Sequence, residues 1–317
     1  MKAKLGVYVP VYGGWLRGVE NEDDPPSYRY AEQCALKAEK MGIQSIWVAD
    51  HMLNPIKEET RGSLEAWTLL TALAAKTRTL ELFHTTLCHG FRYPAVLAKM
   101  CTTLDEISDG RFRLSIGAGW FEREFLSYGV PWYDHDTRID RAKEQIEIIK
   151  SLWTKPVTNY KGRFYEIIDG VLEPKPVQKP YPPIWWGGNS AKSRELVADL
   201  ADGWLMGATS LPEAGERIGD MRRLLDMRGR EKIMYSIPGK VYLGETDEDA
   251  KKMLKGFVGG KADLYASIIE REFVGSAETI AERVHSLEQL GFSYIIFQIS
   301  PALDTLNKIQ NRLLPLL

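Results

Sequence analysis

Much that marks particular protein classes is scarce or missing in this chain. Three cysteines, Cys34, Cys88 and Cys101, are too few in 317 residues for a disulfide framework, and they fit a reducing cytoplasm. The 41 basic and 43 acidic side chains leave a net charge of -2. A charge that small gives no field for holding a polyanion, so no nucleic-acid partner is expected. No apolar run approaches the roughly 20 residues needed to cross a bilayer. Met1 leads straight into a strand-like segment, with no basic and then apolar stretch of a signal peptide. His135 has no second histidine at metal-ligand spacing and Cys88-His89 is too short to supply a site, so no metal is expected. P-loop, nucleophile-elbow and Cys-x-x-Cys motifs are absent. So are Pro/Ser-rich linkers and internal repeats. These absences leave a soluble cytoplasmic protein, read as one domain over residues 1–317.

What is present is an alternation. Strand-like apolar runs occupy residues 4–10, 45–49, 79–84, 112–116, 183–186, 203–206, 240–243 and 294–299. Stretches of helical periodicity, such as 30–41, 138–152 and 279–290, separate most of them. Parallel neighbours need long crossovers, and helices supply them. Eight strand–helix units therefore predict an α/β fold, a single (β/α)8 TIM barrel with insertions at its C-terminal face. Residues 21–27, acidic and proline-rich, read as a surface loop before a helix start. Residues 159–183 read as a short hairpin followed by a proline-rich approach to the fifth strand. Residues 245–275, with Gly256, Gly259 and Gly260, read either as a lid over the mouth or as a helical crossover.

Polar and glycine-rich residues follow the strand runs, where a barrel of this type gathers its catalytic groups. Trp185-Trp186-Gly187-Gly188-Asn189-Ser190 precedes a helix, so its backbone N–H groups and the Ser190 hydroxyl suit an anion such as phosphate. The same pattern also serves a capped turn with nothing bound. Gly117-Ala118-Gly119-Trp120 lacks the third glycine of the dinucleotide fingerprint and reads as a tight turn or as a wall beside a planar ligand. His51 ends the second strand, where an imidazole suits proton transfer, although a structural hydrogen bond is the other reading. Asp134-His135-Asp136 suits an N-cap and a solvated turn better than a metal site.

Several segments, in order, resemble the luciferase-like flavin-dependent monooxygenases over nearly the whole chain. They are WVADH at 47–51, TTLCHGFRYPAVLAKMCTTLDEISDGR at 85–111, GAGWFEREF at 117–125 and GVPWYDHDTR at 129–138. LWT at 152–154, KGRFY at 161–165 and PKPVQKPYPPIWWGGNS at 174–190 complete the set. DHDTR and the proline run are most similar to the branch that oxidises alkanesulfonates, dimethyl sulfone and related small sulfur or nitrogen compounds. The resemblance implies reduced FMN from a separate flavin reductase, O2, a small-molecule substrate, and a homodimer or homotetramer. It places His51 in catalysis and Asp50 beside the ring. Thr85 and Thr86 are implied to flank the ring where relatives carry a strained peptide. Ser115, Glu124, His135 and Arg138 are implied at the ring edge, ribityl chain or phosphate, with Gly188 and Ser190 at the phosphate. VADH with FRYPAV is also similar to the branch that uses the deazaflavin coenzyme F-420 for hydride transfer. A non-catalytic flavin-binding barrel is a further alternative.

Overall fold

The computed structural model describes residues 2–15, 22–258 and 262–317. Eight parallel strands form the barrel: β1 (Lys4–Tyr8), β2 (Ser45–Val48), β3 (Glu81–His84), β4 (Leu114–Gly117), β5 (Ile184–Gly187), β6 (Gly203–Leu205), β7 (Met234–Leu243) and β8 (Tyr294–Gln298). Neighbours pair in chain order, and β8 returns to β1 with Lys4 opposite Tyr294. Between β3 and β4 closure rests on one parallel bridge, Leu82 to Phe112, and on the pair Leu87–Cys88 beside β4. The eight-strand expectation holds. β7 begins at Met234 rather than 240, because Ser236, Pro238 and Gly239 interrupt the apolar run that marks its end.

Parallel strands covered on both faces are apolar throughout, and most of these strand residues are buried. Aromatic rings fill the barrel: Trp47 stacks on Phe83 at 3.9 Å, and the Trp185 ring meets Tyr294 edge-on at 5.3 Å. With the interior filled by side chains, the barrel is a packed core and not a pore. The first four helices are α1 (Tyr28–Lys40), α2 (Ala66–Lys76), α3 (Pro94–Ile107) and α4 (Glu122–Ser127), and hydroxyl and carboxylate caps start the next two, which bear on the site. Asp134 caps α5 (His135–Thr154) by accepting the Thr137 N–H at 3.0 Å, and Ser190 caps α6 (Ala191–Leu200).

The hairpin expectation is met by antiparallel Thr158–Lys161 and Glu166–Gly170. In the 245–275 insertion, helices Asp247–Val258 and Ala262–Arg271 are followed by Phe273–Gly275, which pairs with the end of β7. Leu254, Val258 and Ile268 give this insertion its own small core. Two of the hinge glycines expected there, Gly259 and Gly260, lie outside the described residues. Ala31, Cys34 and Ala35 belong to the first helix, Tyr28–Lys40, and Leu70, Leu73 and Ala74 to the second, Ala66–Lys76. They pack inside the chain, and Leu36 stays exposed.

Candidate active site

A cavity of about 440 Å³ opens at the C-terminal ends of the strands. Nine of the ten expected site residues line it: Asp50, His51, Thr85, Thr86, Glu124, His135, Arg138, Gly188 and Ser190. Ser115 is the exception. It lies two residues below Gly117 on the same face of β4, fully buried, and its Oγ meets no partner among the described residues.

The floor is built around Thr85 and Thr86, whose shared peptide bond is cis. The Tyr8 hydroxyl and Thr85 Oγ1 are 2.5 Å apart. Burial pushes the Tyr8 phenol up to about 12, with the Thr85 and Gln298 hydrogen bonds opposing it. The Thr86 side chain occupies the space where a Cβ on Gly117 or on Gly187 would sit. These two glycines are therefore set by a protein side chain, whereas the sequence pattern had suggested ligand approach. Gly117→Ala or Gly187→Ala is expected to displace Thr86 and to cost about 1–3 kcal/mol of stability, read from urea midpoints. A midpoint equal to the parent's contradicts this packing.

At one end of the cavity, His51 Nδ1 lies 3.0 and 3.1 Å from the two oxygens of Glu124. Glu124 is buried and also accepts the Met52 N–H at 2.9 Å. A carboxylate accepts only, so it holds the imidazole proton on Nδ1 and leaves Nε2 to exchange a proton with a bound molecule. Trp120 at 5.5 Å, Tyr12 at 6.0 Å and Phe121 at 6.4 Å surround the imidazole. Burial raises the Tyr12 phenol well above its ordinary value, and Tyr8, Glu124 and Asp50 add to this.

Asp50 reaches the cavity wall with both carboxylate oxygens engaged. Arg92 grips it through Nη1 at 2.7 Å and Nη2 at 3.1 Å, and the Cys88 N–H donates at 2.8 Å. Arg92 also bonds Glu65 at 2.5 Å. Arg92 and Glu65 were not singled out from sequence. The FRYP segment contains Arg92, yet no spacing rule links it to a carboxylate 42 positions earlier.

The other end is the start of α6. Ser190 Oγ accepts the Ser193 N–H at 3.2 Å and donates to Ser193 Oγ at 3.1 Å. A Cβ at Gly188, whose φ is 151°, would come within 2.7 Å of Ser193 Oγ. From α5 comes Arg138, its guanidinium 3.8 Å from the Trp132 ring centre and its Nε without a partner among the described residues. Lys192 ties the two helix starts together through Asp136 O at 3.1 Å and Asp140 at 2.7 Å. His135 sits exposed on the rim, 3.2 Å from Asp136. Helix N–H groups, two hydroxyls and an incompletely bonded guanidinium together make an anion cradle.

From sequence the 245–275 insertion reads either as a lid over the mouth or as a helical crossover. Trp15 is buried and donates to Ile299 O at 2.7 Å, and Trp132 lies under Arg138. Of the tryptophans only Trp120 lines the cavity, and no described residue of the insertion does. Among the described residues no group of His, Cys, Asp and Glu could hold a metal ion.

The sequence pattern of a family described as luciferase-like monooxygenase matches residues 10–272. An FMNH(2)-dependent dimethylsulfone monooxygenase of Pseudomonas putida is 32% identical over 199 residues, covering 63% of this chain and 54% of that protein. An F420-dependent glucose-6-phosphate dehydrogenase of Amycolatopsis mediterranei is 36% identical over 174 residues, covering 54% and 51%. The chain thus spans about half the length of these two curated relatives. An F420-dependent secondary alcohol dehydrogenase structure aligns over 100% of both chains, with a TM-score of 0.83 at 19% identity, which shows a shared fold.

Proposed function

The chain belongs to the luciferase-like monooxygenase family, and from that premise we propose a two-component monooxygenase. It takes reduced FMN from a separate reductase and acts with O2 on a small sulfur- or nitrogen-containing organic molecule. The observation that carries this reading is the two-ended cavity: an anion cradle at the start of α6 and a carboxylate-held imidazole at the opposite end. Its volume lies in the ordinary range for ligand pockets. Ser190, Ser193, Arg138 and the α6 N–H groups fit the FMN phosphate, and Thr85, Thr86 and Gly188 leave room for a flat ring. Bound there, reduced FMN supplies the electrons with which O2 is activated. His51 Nε2 moves a proton, Glu124 fixes which nitrogen does so, and the Trp120 ring stands 5.5 Å from the imidazole.

The test is equilibrium binding of FMN, reduced FMN and coenzyme F-420 under identical conditions, followed by oxygen uptake with a flavin reductase. Selective binding of reduced FMN is expected. The second reading, F-420-dependent hydride transfer, draws on the 36% identical relative. Selective F-420 binding without oxygen uptake decides for it. A non-catalytic barrel has no use for the buried Glu124 on His51, and oxygen uptake dependent on His51 rejects it. Self-association as a homodimer or homotetramer belongs to the same proposal, and light scattering that shows only the 36.0 kDa chain overturns it.

Ser190→Ala removes both a cap and a phosphate donor. A hydrogen bond to a charged group contributes about 1.5–3 kcal/mol, so flavin affinity is expected to fall more than about tenfold. Titration calorimetry showing equal affinity places the phosphate elsewhere.

A further inference from the structure

We propose that the His51–Trp120 end of the cavity rejects anions, so that the organic substrate is an uncharged or cationic molecule and not a sulfonate or carboxylate. The word substrate rests on the flavin reading above. The charge selection itself does not.

Arg138 is the only Lys or Arg among the described residues lining the cavity. It belongs to the α6 end, where Lys192 ties α5 to α6 and the guanidinium stacks on Trp132. A flavin phosphate placed in that cradle uses this cation. Around His51 the balance is reversed. Glu124, Asp50 and Glu65 are three carboxylates, and Arg92 is the one guanidinium bonded among them. A neutral His51 leaves an excess of two negative charges, and a protonated one leaves an excess of one. No other Lys or Arg among the described residues lines that end of the cavity. Arg123 pairs with Glu59 at 3.3 Å, Arg61 pairs with Asp24, and Lys57 lies beside Gly14 off the cavity wall. Low-dielectric walls focus such an excess into the opening. Trp120 lines the cavity there, its ring stacked 5.4 Å from Phe121, and it offers a neutral or cationic guest a π face, while the described lining residues at that end offer an anion no donor cluster.

Trp120 reports on this field directly. It is 63% exposed, while the other eight tryptophans are buried or half-buried. Collisional quenching of its fluorescence, taken as the difference between the parent and Trp120→Phe, needs no flavin and no known substrate. At low ionic strength, with each quencher normalised to free N-acetyltryptophanamide, iodide is expected to quench about threefold less than neutral acrylamide. One net charge at about 7 Å in water gives an effect of that size. Caesium is expected to quench at least as well as acrylamide, and salt should erase the difference. Glu124→Gln should raise iodide quenching. Equal quenching by iodide and acrylamide overturns the proposal. In the reductase-coupled assay, a sulfonate or carboxylate consumed faster than its uncharged isostere also overturns it. Failure of the flavin reading shows separately, as absent binding of reduced FMN with the quenching pattern intact.

Discussion

Replacing His51 with asparagine is expected to slow the flavin-dependent step by about 10²–10⁴-fold, the usual contribution of a general acid or base. Flavin affinity should change by less than about tenfold. The split follows from the geometry. Glu124 engages Nδ1 with both oxygens, so the nitrogen left for a bound molecule is Nε2, and asparagine has no titratable atom to put there. Its amide still donates to Glu124, which keeps the buried carboxylate partnered and the wall in place. The anion cradle lies at the other end of the cavity, on α5 and α6, and does not touch His51. Stopped-flow rates beside calorimetric affinities read the two effects separately. Normal turnover in His51→Asn returns the imidazole to a structural partner of Glu124. A matching loss of affinity and rate makes it a ring-binding residue.

The barrel was legible because parallel strands covered on both faces must be apolar without interruption, and runs such as Ile184–Gly187 and Tyr294–Gln298 stand out from their polar, helical surroundings. The start of β7 was not, because Pro238 and Gly239 are tolerated there by a strand whose end alone looks apolar. Site residues at strand ends were legible for the same reason as the strands: once a run is placed, the residue after it is at the mouth. What joins them was hidden. His51 and Glu124 are 73 positions apart, and Arg92 binds one carboxylate 42 positions and another 27 positions away. Sequence spacing carries no signal for such pairs. Gly117 and Gly187 show the same limit from another side. A glycine announces that a Cβ does not fit, but not whether a ligand or a neighbour such as Thr86 fills the space. Ser115 was implied by the resemblance, yet two residues of rise along its strand put it below the floor.

Two histidines that the proposed chemistry does not use make stability depend on pH between neutrality and mild acid. His84 ends β3 and stacks 5.3 Å from Trp67, and His89 lies beneath α5, both of its ring nitrogens without a partner among the described residues. Burial pulls His84 down to about 4. Burial, reinforced by Arg141 and Arg138, pulls His89 down to about 3. In the unfolded chain each imidazole takes up its proton near pH 6.5. Above that pH neither state binds the proton and stability is full. As the pH falls below 6.5 the unfolded state gains protons that the folded state refuses, so stability drops until the folded values near 4 and 3 are reached. Each group contributes a slope of about 1.4 kcal/mol per pH unit in that window. Urea unfolding is therefore expected to show a loss of about 3 kcal/mol between pH 6.5 and 5 from the pair, before most carboxylates titrate. His89→Gln should halve the slope whatever its own stability at pH 7, and His84→Gln should do the same. A parent protein equally stable at pH 6.5 and 5 means that both rings are protonated, and hence solvated, in the folded state. An unchanged slope in His89→Gln assigns the effect to another group.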